Sequence, residues 1–210
     1  MKKNALELVF ILDRSGSMYD LTDDTIGGFN SVLDKQKTQT ADIMVTTVLF
    51  NNCITRLHDR LPAAGVPHIT REDYEADGST ALYDAVGSTI EHISTIHRYI
   101  RPDDVPEKTL FVITTDGMEN ASRRYTRQRI KEMIEQKKEE SGWEFVFLAA
   151  NIDTEEVAES IGILASRAAS FTAESRGVRV MYKKLDNVID QTIRSFSEDV
   201  NLEDALRGDE

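Results

Sequence analysis

Leu6-Glu7-Leu8-Val9-Phe10-Ile11-Leu12-Asp13-Arg14-Ser15-Gly16-Ser17 decides how the rest of the chain is read. Leu6 to Leu12 is short and almost wholly apolar, broken by Glu7, and runs straight into a carboxylate, two hydroxyls and a glycine. A run apolar on both faces fits a parallel-sheet strand covered by helices on each side. Ile43 to Phe50, Leu110 to Thr115 and Trp143 to Ala150 read the same way. Helical spacing lies between them, over about Asp20 to Gln36 and about Thr80 to Arg101, and from an N-cap at Thr126. A last amphipathic helix is expected over about Ser175 to Val200. Cys53 to Arg60, joined to the preceding run by the turn-prone Asn51-Asn52, reads as an antiparallel edge strand. Asp153 to Ile163 reads as a short helix and Ala168 to Thr172 as a short last strand. The expected architecture is α/β: three layers around a doubly wound, mostly parallel sheet with one antiparallel edge strand. One domain is expected over residues 5–200, followed by an acidic tail over residues 201–210.

Composition narrows the function classes. The chain has 210 residues, with 37 acidic against 25 basic and a net charge of −12. That balance argues against nucleic acid, which needs a basic footprint. One cysteine, Cys53, cannot form an internal disulfide, and near an edge strand it reads as a half-buried small hydrophobe. The longest uninterrupted apolar run, Phe145 to Ala150, falls far short of the roughly 20 residues of a membrane span. Glu7, Asp13 and Arg14 interrupt the start, so no signal peptide is expected. The expectation is a cytoplasmic protein that binds neither nucleic acid nor membrane.

In an open α/β sheet, ligands bind beyond the carboxyl ends of the strands. Three segments there carry oxygen donors: Asp13-Arg14-Ser15-Gly16-Ser17, Asp77-Gly78-Ser79-Thr80, and Asp116-Gly117. With no cysteine or histidine among them, they suit a hard divalent cation such as Mg²⁺, Mn²⁺ or Ca²⁺. Asp13 and Asp116 balance such a charge, while Ser15, Ser17 and Thr80 add neutral donors. A cation held largely by neutral donors stays electrophilic and accepts one more carboxylate from outside.

This combination resembles the von Willebrand factor type A domain and its metal-ion-dependent adhesion site. The resemblance runs from about Ala5 to Val200 and implies a Rossmann-like fold. It implies that Ser15, Ser17 and Thr80 coordinate Mg²⁺, with Asp13 and Asp116 binding directly or through water. The usual Gly-Gly-Thr is Gly-Ser-Thr here, and Thr80 is favoured over Ser79 as the ligand. The run Asp116 to Ser122 looks more like stand-alone bacterial members than animal adhesion receptors.

Rival readings fare worse. An EF-hand over Asp13 to Asp24 has Met18 in place of its glycine. A phosphotransfer enzyme of the haloacid-dehalogenase type has a second Asp where Ser15 stands, and no G-x-S-x-G elbow marks a serine hydrolase. The histidines show no metal spacing. Arg123, Arg124, Arg127, Arg129 and Lys131 read first as a solvated helix face and second as a hold on an acidic partner. Arg207-Gly208-Asp209 is treated as chance. The expected function is non-enzymatic: a protein partner presents Asp or Glu to the cation, with Asp20, Asp23, Asp24, Glu75 and Asp77 rimming the site. The alternative is a metal-dependent phosphatase or phosphotransferase using the same oxygens.

Overall fold

A computed structural model describes residues 1–196 and Leu206. The strands are β1 (Lys2–Asp13), β2 (Asp42–Phe50), β3 (Ile54–Pro62), β4 (Pro106–Thr115), β5 (Glu144–Ala149) and β6 (Ala168–Ser170). The helices are α1 (Thr22–Lys37), α2 (Leu82–Tyr99), α3 (Arg127–Ser141), α4 (Thr154–Ser160) and α5 (Ser175–Arg194). The sheet order is β3-β2-β1-β4-β5-β6, with only β3 antiparallel to its neighbour. The doubly wound sheet with one antiparallel edge is therefore as expected. The expected tail over 201–210, Leu206 apart, lies outside the described residues, as does the Arg-Gly-Asp tripeptide.

Alternation along β1 explains the layers. Leu6, Leu8, Phe10 and Leu12 join α1 and α5 in one apolar cluster, while Val9 and Ile11 join α2 and α3 in the other. Successive strand residues point to opposite faces, so a central strand feeds both cores. Gly28 lets α1 approach α5: a Cβ there would fall 2.1 Å from the Tyr182 ring. Among the described residues no helix is long and apolar enough to cross a membrane.

Some boundaries moved. β1 starts at Lys2, whose backbone N–H donates to Val105 O, after a register shift between Lys2 and Leu6. Polar Lys2 to Asn4 carry no apolar signal that could announce this pairing. A 3-10 helix, Gly16–Leu21, precedes α1. Cys53 is exposed at the hairpin tip, because β3 begins one residue later at Ile54; this corrects its reading as a half-buried hydrophobe.

His58 on β3 is buried and lies 3.0 Å from Thr47 Oγ1. Burial holds its pKa below 6.5, against an opposing pull from Asp73. The unfolded chain therefore takes up this proton more readily than the folded one. The resulting stability is present above the unfolded value and lost as pH falls below it. We expect His58→Gln to flatten the decline in unfolding free energy from about pH 7 to about pH 5, as followed by urea titration.

Candidate metal centre

The sheet reverses its winding between β1 and β4, and a crevice opens beyond the carboxyl ends of strands at such a switch point. Asp13 ends β1 fully buried. Its Oδ1 accepts the Ser15 N–H at 2.7 Å, and its Oδ2 accepts the hydroxyl of Thr115, the last residue of β4, at 2.6 Å. Ser17 Oγ donates to Asp116 Oδ1 at 2.6 Å and lies 3.2 Å from Ser15 Oγ. A Cβ placed on Gly117 would stand 3.9 Å from both Ser17 Oγ and Thr80 Oγ1. Asp13, Ser15, Ser17, Thr80 and Asp116 thus form one cluster. Thr80 is buried and Ser79 is exposed, so the inward hydroxyl is that of Thr80.

Backbone bonds fix the loops that carry these groups. Gly16 N–H donates to Gly78 O at 3.0 Å, and Asp77 N–H donates to Arg14 O at 3.0 Å. Gly78 has φ +76°, and a Cβ there would fall 2.0 Å from Asn52 Oδ1, so only glycine fits that turn without strain. Ala81 N–H donates to Asn51 O, while Asn120 and Ala121 N–H groups both donate to Thr80 O. Asn120 Oδ1 returns an acceptor to Thr80 N–H at 2.9 Å. The Tyr74 hydroxyl donates to the Asp13 carbonyl. Asn151, in the left-handed region at φ 59°, donates through Nδ2 to Asp116 O at 3.2 Å.

Electrostatics makes the cluster unusual. Burial pushes the Asp13 pKa from 3.8 up to about 6, outweighing the lowering from Thr115 and Ser15, and nearby Asp116 adds to the rise. Burial also raises Asp116, against its bond from Ser17. Among the described residues neither carboxylate has a Lys, Arg or His ion-pair partner. Two buried carboxylates without a counter-charge are costly unless something positive joins them. Their oxygen-only surroundings fit a hard divalent cation. Among the described residues no group of three or more His, Cys, Asp or Glu side chains converges in a way that could hold a metal. A cation here would therefore depend on the hydroxyls.

The expected rim is only partly realised. Asp23 is drawn into an ion pair with Arg71, which lowers its pKa. Asp24 accepts from Ser175 and Arg179 of α5, so its carboxylate braces α1 against α5. Asp77 Oδ1 accepts Gly78 N–H and shapes the turn. Asp20 and Glu75 are exposed. Sequence reasoning missed Thr115, Tyr74, Asn120 and Glu119. The Glu119 carboxylate accepts from Tyr83, Ala121 and Ser122 N–H groups and the Ser122 hydroxyl, holding the loop after β4 to the start of α2. The polar run Glu119-Asn120, so close behind Asp116, was the available signal for two of them.

The sheet order, the antiparallel edge and the clustered strand ends define the von Willebrand factor type A fold, and solved structures share it. The PilB minor pilin from Streptococcus sanguinis superposes with a TM-score of 0.63 at 14% identity, over 92% of this chain and 63% of that one. This chain thus spans less than two thirds of the pilin's length. Manganese-loaded TRAP protein of Plasmodium vivax gives 0.59 at 16% identity, over 86% of this chain and 73% of that one. The vWF domain of the type V pili tip protein Mfa5 from Porphyromonas gingivalis gives 0.61 at 10% identity, over 96% and 99%. No family model and no curated protein matches the chain.

Proposed function

We propose that this chain is a divalent-cation-dependent protein-binding module. Asp13, Ser15, Ser17, Thr80 and Asp116 would hold Mg²⁺, and a partner Asp or Glu would contribute a further oxygen. The bound ion would supply a positive charge still able to attract one carboxylate. The observation that carries the reading is the pair of buried, uncompensated carboxylates facing three hydroxyls at the sheet switch point. The manganese in the TRAP protein, which shares the fold, supports a divalent ion in such a fold.

Binding is favoured over phosphoryl transfer by the engagement of Asp13. Both of its oxygens accept hydrogen bonds, from Ser15 N–H and the Thr115 hydroxyl, which suits a fixed ligand better than a free nucleophile. We expect Asp13→Ala and Thr80→Ala to lose the cation and the partner while keeping the fold. A pull-down from the native cell, with Mg²⁺ and with EDTA, checks this beside circular dichroism of each variant. Capture that persists in EDTA, or Mg²⁺-dependent hydrolysis of phosphate esters abolished by Asp13→Ala, would count against the module.

A further inference from the structure

Arginine crowds one side of this site in a chain whose net charge is −12. Arg123, Arg124 and Arg127 are exposed. The backbone of the first two is pinned: Arg123 N–H donates to Asp84 Oδ2, and Arg124 and Tyr125 N–H groups donate to Asp84 Oδ1, each at 2.9 Å, while Arg127 opens α3. Asp84 lies in the first turn of α2, and Asn120 and Ala121 of the same loop donate to Thr80 O, so the anchored loop adjoins the Thr80 segment. The Arg124 guanidinium lies 5.4 Å from the Tyr125 ring centroid, over a ring that itself packs on Gly87 of α2. Arg127 lines a cleft of about 460 Å³ that Gly117 also lines, and a Cβ on Gly117 would stand 3.9 Å from the Ser17 and Thr80 hydroxyls.

The charges here divide into two sets. Arg129 pairs with Glu132 at 3.5 Å and Lys131 with Glu135 at 3.9 Å, so those two follow the expected solvated helix face. Among the described residues no acidic side chain pairs with Arg123, Arg124 or Arg127. Several acids near this loop already have partners, Glu91 among them through the Tyr125 hydroxyl. Burial works to raise the Asp84 pKa, but the three backbone N–H groups it accepts and the Arg124 charge keep it low, and Glu119 accepts three N–H groups and a hydroxyl. Asp153 caps α4 through Glu156 N–H, and both acids line the same cleft as Arg127 without forming an ion pair with it. Like charges at Arg123 and Arg124 in the pinned loop and at Arg127, the first residue of α3, repel one another, and a negative partner relieves that.

We propose that Arg123, Arg124 and Arg127 dock an acidic stretch of the partner protein, placing further carboxylates beside the one offered to the cation. This rests on the proposed cation-dependent binding. A polyanionic nucleic acid is disfavoured by the chain's overall negative charge.

The test is selection of random displayed peptides on the full chain in Mg²⁺, with release by EDTA. Released peptides are expected to carry at least two acidic residues. On Arg123→Gln/Arg124→Gln/Arg127→Gln they should bind roughly tenfold more weakly, with a larger gap at low salt. Trimmed to one acidic residue, they should bind both proteins equally. The corresponding triple Lys variant should restore most of the loss, and matched melting curves and Mg²⁺ titrations exclude a folding defect. Released peptides with a single acid and no loss on the Gln variant would overturn the docking proposal and leave the cation reading intact. Selection of Lys- and Arg-rich peptides would also overturn it. Failure to recover any EDTA-released peptide would count against both.

Discussion

Asp13→Asn is expected to make the protein more stable in EDTA and blind to Mg²⁺. Asp13 is fully buried, and its pKa is raised from 3.8 to about 6 chiefly by desolvation. A carboxyl whose folded pKa is raised contributes stability below its unfolded value, lost as pH rises through the folded one. At neutral pH the ionised group therefore costs about 3 kcal/mol. Asparagine has nearly the same shape and no charge. Its carbonyl can still accept Ser15 N–H, and the Thr115 hydroxyl can turn to Gly117 O, 3.1 Å away. Urea unfolding in EDTA should show the gain near pH 7 and none near pH 4. Wild type should gain stability with Mg²⁺ as ligand linkage requires, and the variant should not. A less stable variant in EDTA would mean that the carboxylate is paid for inside the protein and needs no cation.

Glu7→Ala should have the opposite sign and a comparable or larger size. Glu7 is fully buried in β1, where its Oε2 accepts Arg60 Nε–H at 2.7 Å and lies 3.2 Å from His97 Nε2. Truncation strands the largely buried Arg60 guanidinium and opens a void against His97, whose ring meets Trp143 edge-on at 5.6 Å. Breaking a buried pair from one side costs about 3–5 kcal/mol. Replacing both partners together, as Glu7→Leu/Arg60→Met, should cost far less, because no charge is left unpaired. Urea midpoints compare the two. A Glu7→Ala protein within about 1 kcal/mol of wild type would show that the pair contributes little.

The residues of the proposed cation site were legible because strand ends are. Apolar runs ending in Asp13 and in Thr115-Asp116 locate two carboxylates at one sheet edge before any coordinates exist. Thr80 was legible as the hydroxyl at the opening of the second long helix. Thr115 was not, because a threonine at a strand's end looks like ordinary β-propensity, and its bond to Asp13 spans the gap between two strands. Tyr74 reaches Asp13 from a loop far away in sequence, which no local pattern encodes. Asp23 and Asp24 misled as rim residues because Arg71 and α5 approach them only in the folded chain. The arginines could be seen as a cluster, yet their division into paired and unpaired sets depends on where α3 begins.

Calorimetric titration of the metal-free chain with Mg²⁺ and Mn²⁺ tests the central claim most directly. The account predicts one site in the wild type, absent from Asp13→Ala and from Thr80→Ala, with circular dichroism unchanged in both. No heat of binding at millimolar metal in the wild type, or binding undiminished in both variants, would contradict it.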